Sequence, residues 1–197
     1  MPTQAERRAS TRGALLDAAA ATLVGAGATG FTTAAVAARA DLSNGALFRY
    51  FPTRLDLVAA TVEYVLAELR DHYVERFATS TEADVRRLLE LLWECMSDPR
   101  LAAVYELYTQ CRTDDALLAA VQPIVMEHVD RIGELAATVL GQLDRELPGD
   151  PQAFVMLAIL SMQGLIINNL AGTGVGVERD LIAGLVAAYD LTDGTAS

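Results

Sequence analysis

From Asn44 to Tyr50 the chain reads Asn-Gly-Ala-Leu-Phe-Arg-Tyr, a set of side chains suited to one kind of chemistry. Asn44 and Arg49 can pair with base edges or phosphates. Tyr50 can donate its hydroxyl to a phosphate while its ring packs inward. Gly45 and Ala46 let the backbone approach a partner closely, and the Ala46 methyl can touch that of a thymine. Leu47 belongs to a different set: with Val36, Leu42, Phe51, Phe31 and Leu16 it faces a small core. That leaves Asn44, Gly45, Ala46, Phe48, Arg49 and Tyr50 largely outward, on a helix short enough to lie in a major groove. Thr32, Thr33, Ser43 and Arg54 stand at expected helix N-termini, where unpaired N–H groups and the helix dipole favour a phosphate.

Such a helix must be held against a second one at a fixed angle. A small residue is needed where the two cross, a left-handed-tolerant residue at the turn between them, and an apolar anchor on the second helix. Ala37, Asp41 and Leu47 occupy these places in order. Asp is a second choice at the turn, yet it visits the left-handed region more readily than most residues. This is the spacing of a helix-turn-helix.

The surrounding punctuation supplies the rest of the fold. A first helix is expected over 4–25, with Leu16, Ala19 and Leu23 at helical spacing, ending at the glycines of GAGATG. A second follows to Arg39, capped by Thr32 or Thr33. Ser43 caps a third that Pro52 stops. Thr53 with Asp56 forms a capping-box variant at the start of a long fourth helix to about residue 77. Further helices are expected over 82–96, 101–111, 115–147 (bent near Pro123), 151–170 and 177–191. Strand signals are almost absent. The expectation is an all-α chain of about nine helices. A three-helix DNA-binding unit over 1–52 leads into a helical body over 53–197.

The charge distribution fits that division. The chain has 197 residues, a net charge of −11 and no lysine. Residues 1–56 carry six arginines (7, 8, 12, 39, 49 and 54) against Glu6, Asp17, Asp41 and Asp56, a net of +2. Residues 57–197 net −13. A polyanion would be met in the first quarter of the chain. Apolar residues make up 52 %, enough for a sizeable core. The polar N-terminus lacks the apolar run of a signal peptide, and no uninterrupted apolar stretch reaches the ~18 residues of a membrane span. The expectation is a soluble, cytoplasmic protein with no membrane partner.

The stretch GATGFTTAAVAARADLSNGALFRYFPTRLDL resembles the DNA-binding signature of tetracycline-repressor-type (TetR/AcrR) transcriptional regulators, G-x-x-x-x-T-x-x-x-I-A-x-x-A-G-V-S-x-G-x-L-Y-x-Y-F-x-S-K-x-x-L. The clear resemblance covers roughly residues 8–60; beyond it only the number and lengths of helices match. Asp41 replaces the usual turn glycine. Phe48 stands where a tyrosine commonly contacts phosphate, which removes that hydroxyl. Arg54 replaces a lysine and keeps the charge. The resemblance implies operator-facing roles for Thr32, Thr33, Ser43, Gly45, Phe48, Arg49, Tyr50 and Arg54. It also implies a homodimer built mostly from the last two helices and an effector pocket among the helices after the fourth. The function it implies is a ligand-responsive repressor of a palindromic operator.

Other residues admit two readings. Trp93, Tyr105 and Tyr108 fit either a plain core or an effector pocket. Ser161, Gly164 and Asn168, at small-residue spacing on an eighth helix apolar nearly all round, suggest a dimer contact, with Leu181 and Leu185 as a matching stripe on the ninth. Arg7, Arg8 and Arg12 are either a solvated patch or contacts to DNA. An effector is expected to be apolar and uncharged, or cationic, with Glu90, Glu94 or Glu106 available to a cation and Arg112 or Arg131 to a carboxylate. His72 with Glu75, and His128 with Glu127, are too few for a metal site, and no cofactor is expected. Cys95 and Cys111 read as apolar thiols rather than a redox pair. No convergent acid, base or nucleophile stands out, which speaks against the rival reading of an all-helical enzyme; the third reading is a helical adaptor.

Overall fold

A computed structural model of the chain describes residues 3–78, 85–140, 151–173 and 176–191. Among these residues there are nine α-helices and no strand: α1 (Gln4–Gly30), α2 (Thr33–Arg39), α3 (Asn44–Phe48), α4 (Arg54–Ala78), α5 (Val85–Met96), α6 (Pro99–Cys111), α7 (Asp115–Leu140), α8 (Pro151–Leu170) and α9 (Glu178–Leu191). The end of α7 expected near residue 147 lies outside the described residues. α7 itself continues through Pro123.

The described residues pack as two compact units, one drawn from 3–68 and 99–127 and the other from 69–78, 85–98, 128–140, 151–173 and 176–191. In the first, α1 packs against α2 and α6, and α2 against α3. Its core is the row Leu15, Leu16, Ala19 and Leu23 of α1 with Phe31, Val36, Leu47, Phe51, Leu57, Val58 and Leu107. The first helix does not stop at Gly25. It runs on to Gly27, which breaks it with φ 66 and ψ 178, and a further turn continues to Gly30. Only glycine takes that backbone without strain. The broken end is tied down from α6, because the Ala28 N–H donates to Glu106 Oε2 at 3.0 Å. A second tie joins α1 to α4, where the Tyr64 hydroxyl donates to Asp17 Oδ1 at 2.6 Å. That bond to the carboxylate, more than burial, raises the Tyr64 phenol to about 12.

In the second unit α5, α8 and α9 pack on one another. Leu88, Leu89, Leu91, Ala158, Met162, Leu165, Ile166, Ile182 and Leu185 form the interior. Arg76 and Arg87 pair with Glu94, and Arg87 also reaches Glu90 at 3.5 Å. By length and composition α1 and α8 could each cross a membrane. The apolar residues of α1 supply the first unit's core, whereas α8 buries one side and leaves a row of large apolar side chains uncovered on the other.

Candidate nucleic-acid interface

Each helix of the reading unit starts on a cap that its sequence provides. The Thr32 hydroxyl accepts from the Ala35 N–H at 3.1 Å and opens α2; the Ser43 hydroxyl accepts from the Ala46 N–H at 3.1 Å and opens α3. Thr53 and Asp56 exchange bonds reciprocally. The Thr53 N–H and hydroxyl donate to Asp56 Oδ2 at 2.9 and 2.8 Å, and the Asp56 N–H donates to Thr53 Oγ1 at 3.1 Å. Arg54 thereby becomes the exposed first residue of α4.

Between α2 and α3 the chain turns at Asp41, whose φ of 56 is the one positive value at a non-glycine position among the described residues. The Leu42 N–H donates back to the Ala37 carbonyl at 2.9 Å, closing the turn. Ala37 is buried at the crossing and Leu47 anchors α3 with no exposed surface. With the anchor in, the reading face follows from helical geometry. Asn44, Gly45, Phe48 and Arg49 are exposed and Ala46 is half-buried. Phe48, at 40 % exposure, is a large apolar ring with no core to join. A Cβ built on Gly45 meets nothing within 4 Å, so the space beside α3 is open to a partner.

Thr32 and Ser43 are exposed and Thr33 is half-buried at the start of α2. α3 comprises only five residues, which suffices because its role is to present side chains rather than to add core. Tyr50 is half-buried, with the Arg8 guanidinium 5.7 Å from its ring centroid; Arg12 stands 5.6 Å from the centroid of Phe51.

Residues 15–61, which hold this assembly, match the family model described as bacterial regulatory proteins, tetR family. An uncharacterised HTH-type transcriptional regulator of Mycobacterium tuberculosis is 32% identical over 142 residues, 71% of this chain and 72% of that protein. The chain belongs to the tetR family.

Its fold is that of other tetR-family proteins along nearly the whole length. A putative tetR-family transcriptional regulator from Rhodococcus sp. superposes with a TM-score of 0.70 at 23% identity, over 93% of this chain and 98% of that one. The multidrug binding protein EbrR, crystallised with imidazole, superposes with a TM-score of 0.65 at 24% identity, over 89% and 93%. Proteins of the tetR family are transcriptional regulators, not enzymes, and as a family they bind operator DNA and small-molecule effectors.

The residues expected in the body fall into several environments. Tyr105 is buried and Tyr108 half-buried on α6; their rings meet edge to face with centroids 5.6 Å apart. Burial raises the Tyr105 phenol well above its ordinary value and that of Tyr108 to about 12, so both remain neutral donors. Trp93 is half-buried on α5 in the second unit. Burial likewise raises the thiols of Cys95 and Cys111, which keeps them protonated. Among the described residues no group of three or more His, Cys, Asp or Glu could hold a metal ion.

The carboxylates expected to await a cation are engaged otherwise. Glu106 accepts from the α1 backbone, while Glu90 and Glu94 pair with arginines of their own unit. On α8 and α9, Ser161, Gly164 and Leu181 are half-buried. Asn168 is exposed, but its amide donates to the Gly164 carbonyl at 2.8 Å, and its Oδ1 accepts from the Thr173 hydroxyl at 3.2 Å; it serves the end of its own helix. Leu185, at 6% exposure, belongs to the core of the second unit and offers nothing outward. The outward row on α8 is instead Met156, Leu157, Leu160, Ile167 and Leu170. Helical period three and four would have shown that row, had an all-round apolar helix not hidden which face was free.

Proposed function

We propose that this regulator is a repressor that binds a palindromic operator as a homodimer and leaves it when a small effector enters its body. Residues 1–52 are the reading domain in this account and 53–197 the effector-binding and dimerisation domain. Asn44, Gly45, Ala46, Phe48, Arg49 and Tyr50 meet the groove, and Thr32, Thr33, Ser43 and Arg54 meet phosphates. The observation that carries the reading is the outward set on α3, fixed by the Asp41 turn and the Leu47 anchor beside an open Gly45. A regulator with one such head reads a few base pairs; two heads related by a twofold axis read a palindrome.

The dimer proposal draws on the uncovered face of α8. From Leu157 the positions Leu160, Gly164, Ile167 and Leu170 follow every three or four residues, with Met156 on the same face, and Ala183, Gly184 and Ala187 form a small-residue face on α9. Large side chains on one helix against small ones on another pack closely, and a second copy supplies both. In the same account Tyr105 and Tyr108 of the first unit serve an effector pocket, and α4, which carries Arg54 at one end, transmits the response. An apolar, uncharged effector fits best. A cationic one stays within the proposal but must find carboxylates other than Glu90, Glu94 and Glu106. The protein then works in the cytoplasm, with DNA and effector as partners and no membrane.

A gel shift with duplex DNA flanking the protein's own gene tests the central statement. The flanking duplex should be retarded at concentrations that leave a scrambled duplex of the same length free. Equal retardation of both would remove the operator. A thermal-shift screen tests the effector: stabilisation by apolar or cationic compounds is expected, whereas stabilisation by acyl-phosphates or acyl-coenzyme A, with none from apolar or cationic compounds, would reverse the assignment.

A further inference from the structure

The first turns of α1 project past the core. Its buried row begins at Leu15, and residues 3–14 are exposed or half-buried throughout. A free helix end of this kind ordinarily frays, because its first N–H groups have no partners. Here a capping box closes it: the Glu6 N–H donates to Thr3 Oγ1 at 3.2 Å and the Thr3 N–H to Glu6 Oε2 at 2.6 Å.

Four residues apart on this projecting segment stand Arg8 and Arg12, each against one of the two aromatic rings that follow α3. Arg8 lies 5.7 Å from the centroid of Tyr50 and Arg12 5.6 Å from that of Phe51. Both arginines are exposed, and among the described residues no carboxylate pairs with either. The nearest acids in sequence are taken, Glu6 by the capping box and Asp17 by Tyr64. Attraction to a ring fixes where the cation sits without giving its N–H groups an acceptor. Two arginines are therefore held in place with their charge uncompensated, beside the helix that carries the reading residues. In a chain with no lysine and a net charge of −11, two such arginines form an unusual local feature.

We propose that Arg8 and Arg12 form a phosphate clamp on the DNA backbone, built on the rings of Tyr50 and Phe51 and separate from the contacts made by α2, α3 and the start of α4. Guanidinium suits this task better than ammonium because its fork matches two phosphate oxygens at once. The clamp carries no sequence information. It adds affinity to any duplex and sets the register at which α3 enters the groove. Because the rings that hold the arginines directly follow α3, a shift of that helix moves the clamp with it. The proposal rests on the DNA-binding reading above but not on the identity of the operator.

Salt dependence separates a clamp from a mere staple between α1 and α3. Binding is measured by fluorescence anisotropy over a range of salt concentrations, on the duplex flanking the protein's own gene and on a scrambled duplex. Each phosphate contact contributes about 0.9 to the slope of log K against log salt. Arg8→Gln and Arg12→Gln, which keep most of the side-chain stem, should each reduce that slope by about 0.9 per protomer on both duplexes alike. Arg8→Lys and Arg12→Lys should preserve it. An unchanged slope in both Gln variants, with a lowered unfolding temperature, would overturn the clamp and leave a staple. Loss confined to the flanking duplex would overturn it in favour of base reading. A wild-type protein that binds the two duplexes equally removes the operator but leaves the clamp standing if the Gln variants lose slope. One that binds neither removes both.

Discussion

The reading unit and the paired helices α8 and α9 are built on opposite principles. In the reading unit nearly every local choice points the same way: caps at Thr32, Ser43 and Thr53, a turn at Asp41, and short helices whose large apolar residues, Phe48 apart, are buried. What is left over must face out, and apart from Phe48 it is polar, cationic or small. α8 has the reverse character. It is apolar nearly all round, so its composition cannot say which side is core, and the protomer covers only one. Chemistry is therefore readable where apolar residues are few and caps place the polar ones. An interface made of the same side chains as a core is legible only by what a structure leaves uncovered.

The largest effect should come from the uncovered face. Gly164→Arg adds a long charged side chain where a Cβ meets nothing within 4 Å, so the protomer itself is not crowded. Leu160→Glu puts a charge on a side chain already 57% exposed. Both should turn a dimer into monomers in sedimentation experiments, and operator affinity should fall by roughly 10²–10⁴-fold as two linked half-site contacts become one. A wild-type monomer at micromolar concentration would overturn the dimer and leave the apolar face of α8 exposed to water.

Next come the side chains of the reading face. Arg49→Ala should weaken operator binding by about 1–3 kcal/mol, with a thermal unfolding curve close to that of the unaltered protein, since Arg49 lies outside the core. Tyr50→Phe keeps the ring beneath Arg8 and removes only the hydroxyl, so it should cost less than Arg49→Ala. Wild-type affinity in Arg49→Ala would take that residue out of the interface.

Acid should find the second unit through His128. Burial, with a smaller push from the charge of Arg70, lowers this imidazole to about 4. The sign follows from proton uptake. In the unfolded chain the ring takes a proton near pH 6.5 and in the folded chain only near pH 4. Stability is thus undiminished above pH 6.5 and is lost as pH falls towards 4. Urea unfolding at pH 7 and pH 5 should show about 1 kcal/mol lost from this source, after allowance for the part of the ring that solvent reaches. His128→Gln should flatten that part of the profile; an unaltered acid slope would mean that other groups carry it.

Asp41→Gly is the smallest change. Its φ of 56 is tolerated by Asp but natural to glycine, so the substitution should stabilise the turn by up to about 1 kcal/mol and leave the reading face in place. A drop in stability would show that the Asp41 carboxylate supports the turn in a way its backbone geometry does not reveal.

Short-range rules govern the part of this protein that is legible in the order of its residues. Caps, the left-handed turn, the small crossing residue and the apolar anchor act over a few positions. They sufficed for the order of the helices, the helix-turn-helix and the outward set from Asn44 to Tyr50. Helix ends were set less sharply: GAGATG signals a stop, but whether the break falls at Gly25 or Gly27 depends on Glu106, which reaches the Ala28 N–H from 78 residues away. Contacts at that range leave no local pattern. The same holds for Arg8 on Tyr50 and Arg12 on Phe51, and for Glu90 and Glu94, which a string of residues shows as available and the fold shows as paired. It holds most of all for Leu185 and Leu160, two leucines on apolar helices, one buried in the protomer and the other uncovered. Only tertiary packing distinguishes them, because burial depends on what stands opposite a side chain rather than on the side chain itself.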